Sequence, residues 1–162
     1  MIRRLFLSTL VALPALAQGG GLWGTWTLVS TPDLAKAIEA AIAPLNPLVR
    51  PFARARLARA NTPCTTLRID PDPDGITIQT DQRAPQHVPA DGRPMVWTRN
   101  DGEKLFISAR LDQDDLVQTF RTRDGERTTV FHPDPASHTL TLKVTVTSPR
   151  LPNPLVYTLV YH

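Results

Sequence analysis

The sequence predicts an all-β protein: an antiparallel up-and-down β-barrel of about nine or ten strands with a two-helix lid inserted after the first strand. From residue 65 onward, short runs of β-branched and aromatic residues alternate with turn residues, as expected for strands joined by short turns. Residues 31–60 instead carry two helical patterns, directly after the first strand. Closing such a meander into a barrel removes its unpaired edges, so we expect the helices to cover one open end.

The first strand and the first helix are predicted to follow one another without a long loop. Residues 23–30 read as a strand in which Trp26 and Leu28 share one face. Thr31 has the side chain of an N-cap and Pro32 suits the first helical position, so the helix is expected to start there. Apolar residues recur at helical spacing until Pro44, which ends the helix because its ring clashes with the preceding turn.

A second helix is predicted at about residues 51–60, with an apolar side that contains Phe52 and Leu57. Two interpretations of its basic residues are open. They form either a basic lid that makes transient contact with anionic lipid headgroups or an ordinary solvated face. The basic residues in or near this helix are Arg50, Arg54, Arg56 and Arg59.

The later strands are recognised by alternation. In the clearest case, Leu142 and Val144 lie between threonines and a lysine, which predicts one buried and one wet face. An Asp-Gly pair at residues 124–125 predicts a hairpin turn. The strands after the helices are predicted at residues 65–69, 76–80, 95–99, 104–110, 116–123, 126–132, 139–147 and 155–161.

The N-terminal residues have the three parts of a secretory signal peptide. Ile2-Arg3-Arg4 is a basic start, residues 5–13 are an apolar run, and Ala15-Leu16-Ala17 matches a cleavage site. The apolar run is far shorter than the roughly 20 residues that span a membrane as a helix. We therefore predict a signal peptide at residues 1–17, one barrel domain at residues 18–162, and a periplasmic or secreted location.

Composition and motifs argue against several functional classes. The formal net charge is +3, of which the leader supplies two charges, so the rest of the chain has no strong field for nucleic acid. Cys64 is the only cysteine, so no intrachain disulfide can form. The four histidines lack close metal-ligand spacing, and the chain has no G-x-S-x-G nucleophile motif or glycine-rich phosphate loop. We expect a non-enzymatic protein without a metal or cofactor.

Several segments, in order, resemble the intracellular fatty-acid-binding proteins of the lipocalin superfamily (calycins). They are GTWTLVS at residues 24–30, the helix pair, TTLRI at 65–69, GITIQT at 75–80 and DGERTTV at 124–130. The resemblance implies a ten-stranded barrel with an internal cavity for a fatty acid or a similar apolar molecule. It also implies that the helices cap the ligand portal. Together with the leader, these features fit a bacterial secreted form of such a barrel.

The resemblance also points to individual residues. Leu34 and Ile38 fall where the first helix of that family lines the cavity, and Tyr161 matches the tyrosine of its last strand. The family holds a ligand carboxylate with arginines on its eighth and last strands. Here Leu159 stands at the last-strand arginine position, and His132 stands at the eighth-strand position.

The candidate ligand-binding residues form two groups. Arg121, His132 and Tyr161 are predicted to form a polar end of the cavity, where a cation and a phenol could bind an anionic headgroup. A shift of one residue in register would instead place Arg121 and His132 outside the barrel. The predicted apolar wall consists of Leu34, Ile38, Leu142, Val144 and Tyr157.

These observations favour an extracytoplasmic carrier that binds a small hydrophobic or amphipathic molecule inside the barrel. We expect it to be monomeric, to leave nucleic acid unbound, and to touch membranes at most transiently through its helical lid. Two alternatives remain open at this point. One is a non-enzymatic interaction module whose barrel is filled by its own side chains, and the other is a haem-binding barrel with an inward-facing histidine such as His132.

Overall fold

The structure, a computed structural model, describes residues 21–81, 83–99 and 102–162. The predicted signal peptide therefore lies outside the described residues. The described chain contains ten strands and two helices, and both helices lie between the first and second strands. The elements are β1 Gly24–Ser30, α1 Leu34–Ile42, α2 Arg50–Ala60, β2 Thr66–Asp72, β3 Gly75–Thr80, β4 Gln86–Val88, β5 Met95–Thr98, β6 Lys104–Asp112, β7 Asp115–Thr122, β8 Gly125–Asp134, β9 Thr139–Thr147 and β10 Leu155–Tyr161.

The ten strands form one antiparallel sheet that curls into a nearly closed barrel, as the sequence predicts. Sequential strands are neighbours, and β1 also pairs with β10, so the order is β4-β3-β2-β1-β10-β9-β8-β7-β6-β5. Among the strands of the described residues, only β4 and β5 lack a second strand neighbour. The two sides approach each other there, because Gln118 of β7 donates a side-chain hydrogen bond of 3.1 Å to Gln86 of β4.

Alternating side chains divide each strand into an inner and an outer face. On β9, Leu140, Leu142 and Val144 are buried while Lys143 is exposed. The buried apolar residues of nearly all strands join in a single core cluster with Ile38 of α1. This agrees with the prediction that the threonine-rich face of β9 is wet and its aliphatic face lies inside.

Helix α1 packs on β10, but it starts later than the sequence suggests. Its N-cap is Asp33, and no side chain caps the first turn. The Asp33 carboxylate instead accepts a 2.8 Å hydrogen bond from the backbone N–H of Thr158. Thr31 is therefore not the cap, because the chain uses Asp33 to tie the helix start to the last strand. Ile38, with two further residues of α1, is buried against the barrel.

Helix α2 lies near its predicted bounds but buries no residue completely, which differs from the predicted apolar side. Phe52 is 76% exposed, and Leu57 is half-buried. Polar contacts hold the helix instead: Arg54 pairs with Glu39 of α1, and Arg50 donates to the carbonyl oxygens of Leu45 and Ala43. No helix within the three described segments has the length and apolarity needed to cross a bilayer.

Candidate functional site

Six of the eight predicted ligand-binding residues lie inside the barrel or under its lid. Leu142, Val144, Tyr157 and Tyr161 are buried on the inner face, and α1 supplies the other two. These two are Ile38, which is buried, and Leu34, which is half-buried.

The other two predicted residues lie on the outer face of the barrel. Arg121 is 68% exposed and pairs with Glu126 at 2.6 Å. His132 is 64% exposed and its Nδ1 lies 2.6 Å from a carboxylate oxygen of Asp115. The structure corrects the expected inward placement of both residues, because the parity of each strand turns these positions towards solvent.

The barrel interior around β9 and β10 is filled by its own side chains. Residues on the inner faces of several strands have essentially no exposed surface, so no water-sized space adjoins them. Leu159, at the position where the resembling family has an arginine, is 2% exposed. A ligand that enters this part of the barrel would have to displace packed side chains. The fully buried inner residues include Ile69, Ile76, Ile107, Leu140, Val144 and Tyr161.

Two phenols join the lid segment to the last strand. The Tyr157 hydroxyl donates to Oδ1 of Asn61 at 3.3 Å, and the Asn61 amide donates to the carbonyl oxygen of Leu57 at 2.9 Å. The Tyr161 hydroxyl donates to the carbonyl oxygen of Cys64 at 2.9 Å and lies 3.2 Å from the Cys64 Sγ. The tyrosine hydroxyls therefore fix the end of α2 and the segment after it against β10.

Arg127 is an inward-facing cation that is not among the ligand-binding residues predicted from the sequence. It lies on β8 at the same parity as Thr129 and Phe131, which are buried, and it is half-buried itself. Its charge acts on groups of the interior: burial raises the pKa of Tyr157 and Tyr161, and Arg127 opposes that rise. No ion pair or hydrogen bond engages its guanidinium among the described residues.

The two phenols are expected to resist ionisation until the barrel opens. Burial raises the pKa of both above the ordinary value of 10, so the unfolded chain releases these protons at lower pH than the folded chain. Stability is then fully present below pH 10 and falls above it, by about 1.4 kcal/mol per pH unit for each such group. The chain has only two tyrosines, so phenolate absorbance reports on this pair alone. Absorbance and circular dichroism should change together, and phenolate formation at about pH 10 with intact structure would contradict this account.

An apolar cleft of about 370 Å³ opens between α2 and the rim of the barrel. Val49, Phe52 and Leu57 contribute to the helix side, and Val146 and Leu151 contribute to the barrel side. Val146 of β9 is the direct cross-strand partner of Arg127. The cleft therefore begins beside the residue that carries the interior positive charge.

A sequence signal for Arg127 existed in the alternation of β8. Phe131 is an apolar residue of that strand, and every second residue before it shares its face, which includes Arg127. The resemblance to fatty-acid-binding proteins instead points to position 132, which has the opposite parity. The inward cation could thus have been found from the strand pattern alone.

Comparisons with known proteins support the architecture. No protein-family model matches the chain, and no curated protein matches it. A solved structure described as a REP1-NXSQ fatty acid transporter, in a mutant form, is 17% identical over 88% of this chain and 98% of its own, with a TM-score of 0.50. A secretary abundant heat soluble (SAHS) protein from Ramazzottius varieornatus is 11% identical over 87% of this chain and 93% of its own, with a TM-score of 0.60. The protein therefore has the fold of a nearly closed ten-stranded antiparallel β-barrel with two helices after the first strand, which is the fold that the resemblance to fatty-acid-binding proteins implies.

Proposed function

We propose that the protein is an extracytoplasmic carrier for a small amphipathic molecule with an anionic headgroup. Arg127 is the observation that carries this proposal, because it places a half-buried positive charge beside the interior with no anionic partner among residues 21–81, 83–99 and 102–162. The fatty acid transporter with a similar fold supports a carrier role. The signal-peptide pattern at residues 1–17 supports a location outside the cytoplasm.

The chemistry of Arg127 favours a carboxylate or phosphate as the headgroup. A guanidinium presents a planar fork of N–H donors that matches two oxygens of such a group. The nearby hydroxyl of Tyr157 already donates a hydrogen bond to Asn61, and that of Tyr161 donates one to the Cys64 carbonyl oxygen. The headgroup would therefore take its charge-assisted hydrogen bonds from Arg127, in surroundings of lower dielectric than water.

Exposed apolar residues of the lid support brief contact with a membrane surface. Leu48, Val49 and Phe52 project from the start of α2, and Arg56 is exposed on the same helix. Arg54 is occupied by Glu39, which leaves fewer charges for lipid than the sequence suggests. We expect the wild-type protein to float with anionic vesicles and the Phe52→Ser variant not to float with them. Equal flotation of wild type and variant would contradict this part of the proposal.

The test is a comparison of headgroups on one hydrocarbon chain. Equilibrium binding is measured for a straight-chain carboxylate and for the alcohol of the same length. A charge-assisted hydrogen bond contributes about 1.5–3 kcal/mol, so the carboxylate should bind at least tenfold more tightly. Equal affinity for the two, or no binding of either, would overturn the proposed function.

A second candidate function is a non-enzymatic interaction module. The packed interior favours it, and so do Val96 and Phe106, which are exposed cross-strand neighbours on the outer face. A chain that binds no amphipath but self-associates, with loss of association in Val96→Ser, would support this function. The haem alternative has no such support, because His132 and the other three histidines are exposed.

A further inference from the structure

We propose that the cleft between α2 and the barrel rim holds the hydrocarbon tail of the ligand, outside the packed interior of the barrel. The inference rests on the proposed function and specifies its ligand as a linear, single-chain anionic amphipath. The cleft joins residues of the helix with residues at the ends of β9 and of the β9–β10 loop. Its volume is about 370 Å³.

The packing of the inner strand residues limits where a hydrocarbon chain can lie. Inner residues such as Ile107, Leu140 and Val144 have no exposed surface, so no open volume for a chain adjoins them. Residues of the cleft are different, because Val49 and Phe52 are both exposed although they are large and apolar. Covering them with a hydrocarbon chain removes apolar surface from water without disturbing the core.

A cross-strand pair connects the charge of Arg127 to the cleft. Arg127 and Val146 are directly opposite each other on β8 and β9, and Val146 lines the cleft. A headgroup held at Arg127 therefore places the first carbons of its tail next to the inner end of the cleft. A linear chain can follow this path under Ala53 and Leu57 of α2.

The rim of the cleft carries an ion pair and a further positive charge. Arg150 of the β9–β10 loop pairs with Asp124 of the β7–β8 turn at 3.6 Å, and both residues contribute to the cleft. This ion pair ties together the two turns that form the barrel side. Arg56 adds a further positive charge on the helix side. The rim thus complements an anionic amphipath and offers less to a cationic one.

The test fills the cleft and measures chain-length dependence. Ala53→Trp places an indole in the cleft, and Ala55→Trp places the same side chain on the exposed face of the same helix. Affinities are measured for straight-chain carboxylates from hexanoate to palmitate. In wild type and Ala55→Trp, affinity should rise about fourfold per added methylene over the length that the cleft covers. In Ala53→Trp the rise should fall to about twofold or less per methylene.

A second pair of variants distinguishes a specific loss of tail binding from misfolding of a variant protein. Phe52→Ser removes an exposed aromatic wall of the cleft, and Phe106→Ser removes a similarly exposed ring from the outer face of the barrel. Only Phe52→Ser should weaken palmitate binding, by roughly tenfold, while hexanoate binding stays unchanged. Equal chain-length dependence in all four variants would overturn the tail site while the headgroup preference leaves the proposed function standing. Loss of headgroup preference in wild type would overturn both.

Discussion

Replacing Leu159 by arginine is expected to lower the free energy of unfolding by about 3–5 kcal/mol, because it places an unpaired charge in a packed apolar interior. Leu159 is 2% exposed, and its cross-strand partner Leu142 is also buried. The fatty-acid-binding proteins that the sequence resembles have an arginine at this position. The substitution therefore tests whether the barrel interior has a cavity that can hold an arginine side chain. Since small domains have only about 5–15 kcal/mol of stability, the loss should be obvious in a urea titration.

The matched control is Val156→Arg, three residues earlier on the same strand and 43% exposed. An exposed arginine on the outer face should change the free energy of unfolding by no more than about 0.5 kcal/mol. The contrary outcome is specific: a Leu159→Arg protein of wild-type stability that binds carboxylates more tightly. That result would show that the interior opens readily, and the tail would then lie within the barrel.

The strands that the sequence predicts best are those with unbroken alternation. Strands β9 and β10 occur at the predicted residues 139–147 and 155–161, because period-two burial leaves no other register that hides their aliphatic face. The three-residue strand β4, Gln86–Val88, was not predicted, since it is too short to show a period and lies among prolines. Pairing with β3 creates it, and that contact is not visible in local sequence.

The site was harder to predict than the fold because it depends on single side chains. The role of a residue in the fatty-acid-binding proteins can be assigned to this chain only if the strand keeps the same register. His132 differs from the inward-facing positions by one residue, and its side chain therefore faces solvent. Helix α2 shows a second limit. An apolar side was predicted for it, but polar contacts join Arg50 to Leu45 and Arg54 to Glu39 of α1, and Phe52 stays exposed. The space beneath such a helix is a property of tertiary structure alone.

Replacing Arg127 by leucine is expected to have two effects of opposite sign. Carboxylate affinity should fall about 10–100-fold, because a charge-assisted hydrogen bond of about 1.5–3 kcal/mol is lost. The unliganded protein should become more stable by about 1 kcal/mol, since a half-buried cation that has no partner in the described part of the chain is replaced by an apolar side chain. Thermal unfolding should therefore occur roughly 3 °C higher in the variant. Binding isotherms and calorimetry measure the two quantities separately.

Opposite signs separate a binding residue from a structural one. If Arg127 only stabilised the barrel, its removal would lower both the carboxylate affinity and the melting temperature. A charge that serves to bind a ligand instead destabilises the unliganded protein, so its removal raises the melting temperature. Arg121→Leu supplies the control, because Arg121 already pairs with Glu126 on the outer face and should leave carboxylate affinity within about twofold. The alcohol of the same chain length should bind wild type and Arg127→Leu equally. A loss of alcohol affinity as large as that of the carboxylate would show that the variant distorts the cleft, and Arg127 would then not be the headgroup site.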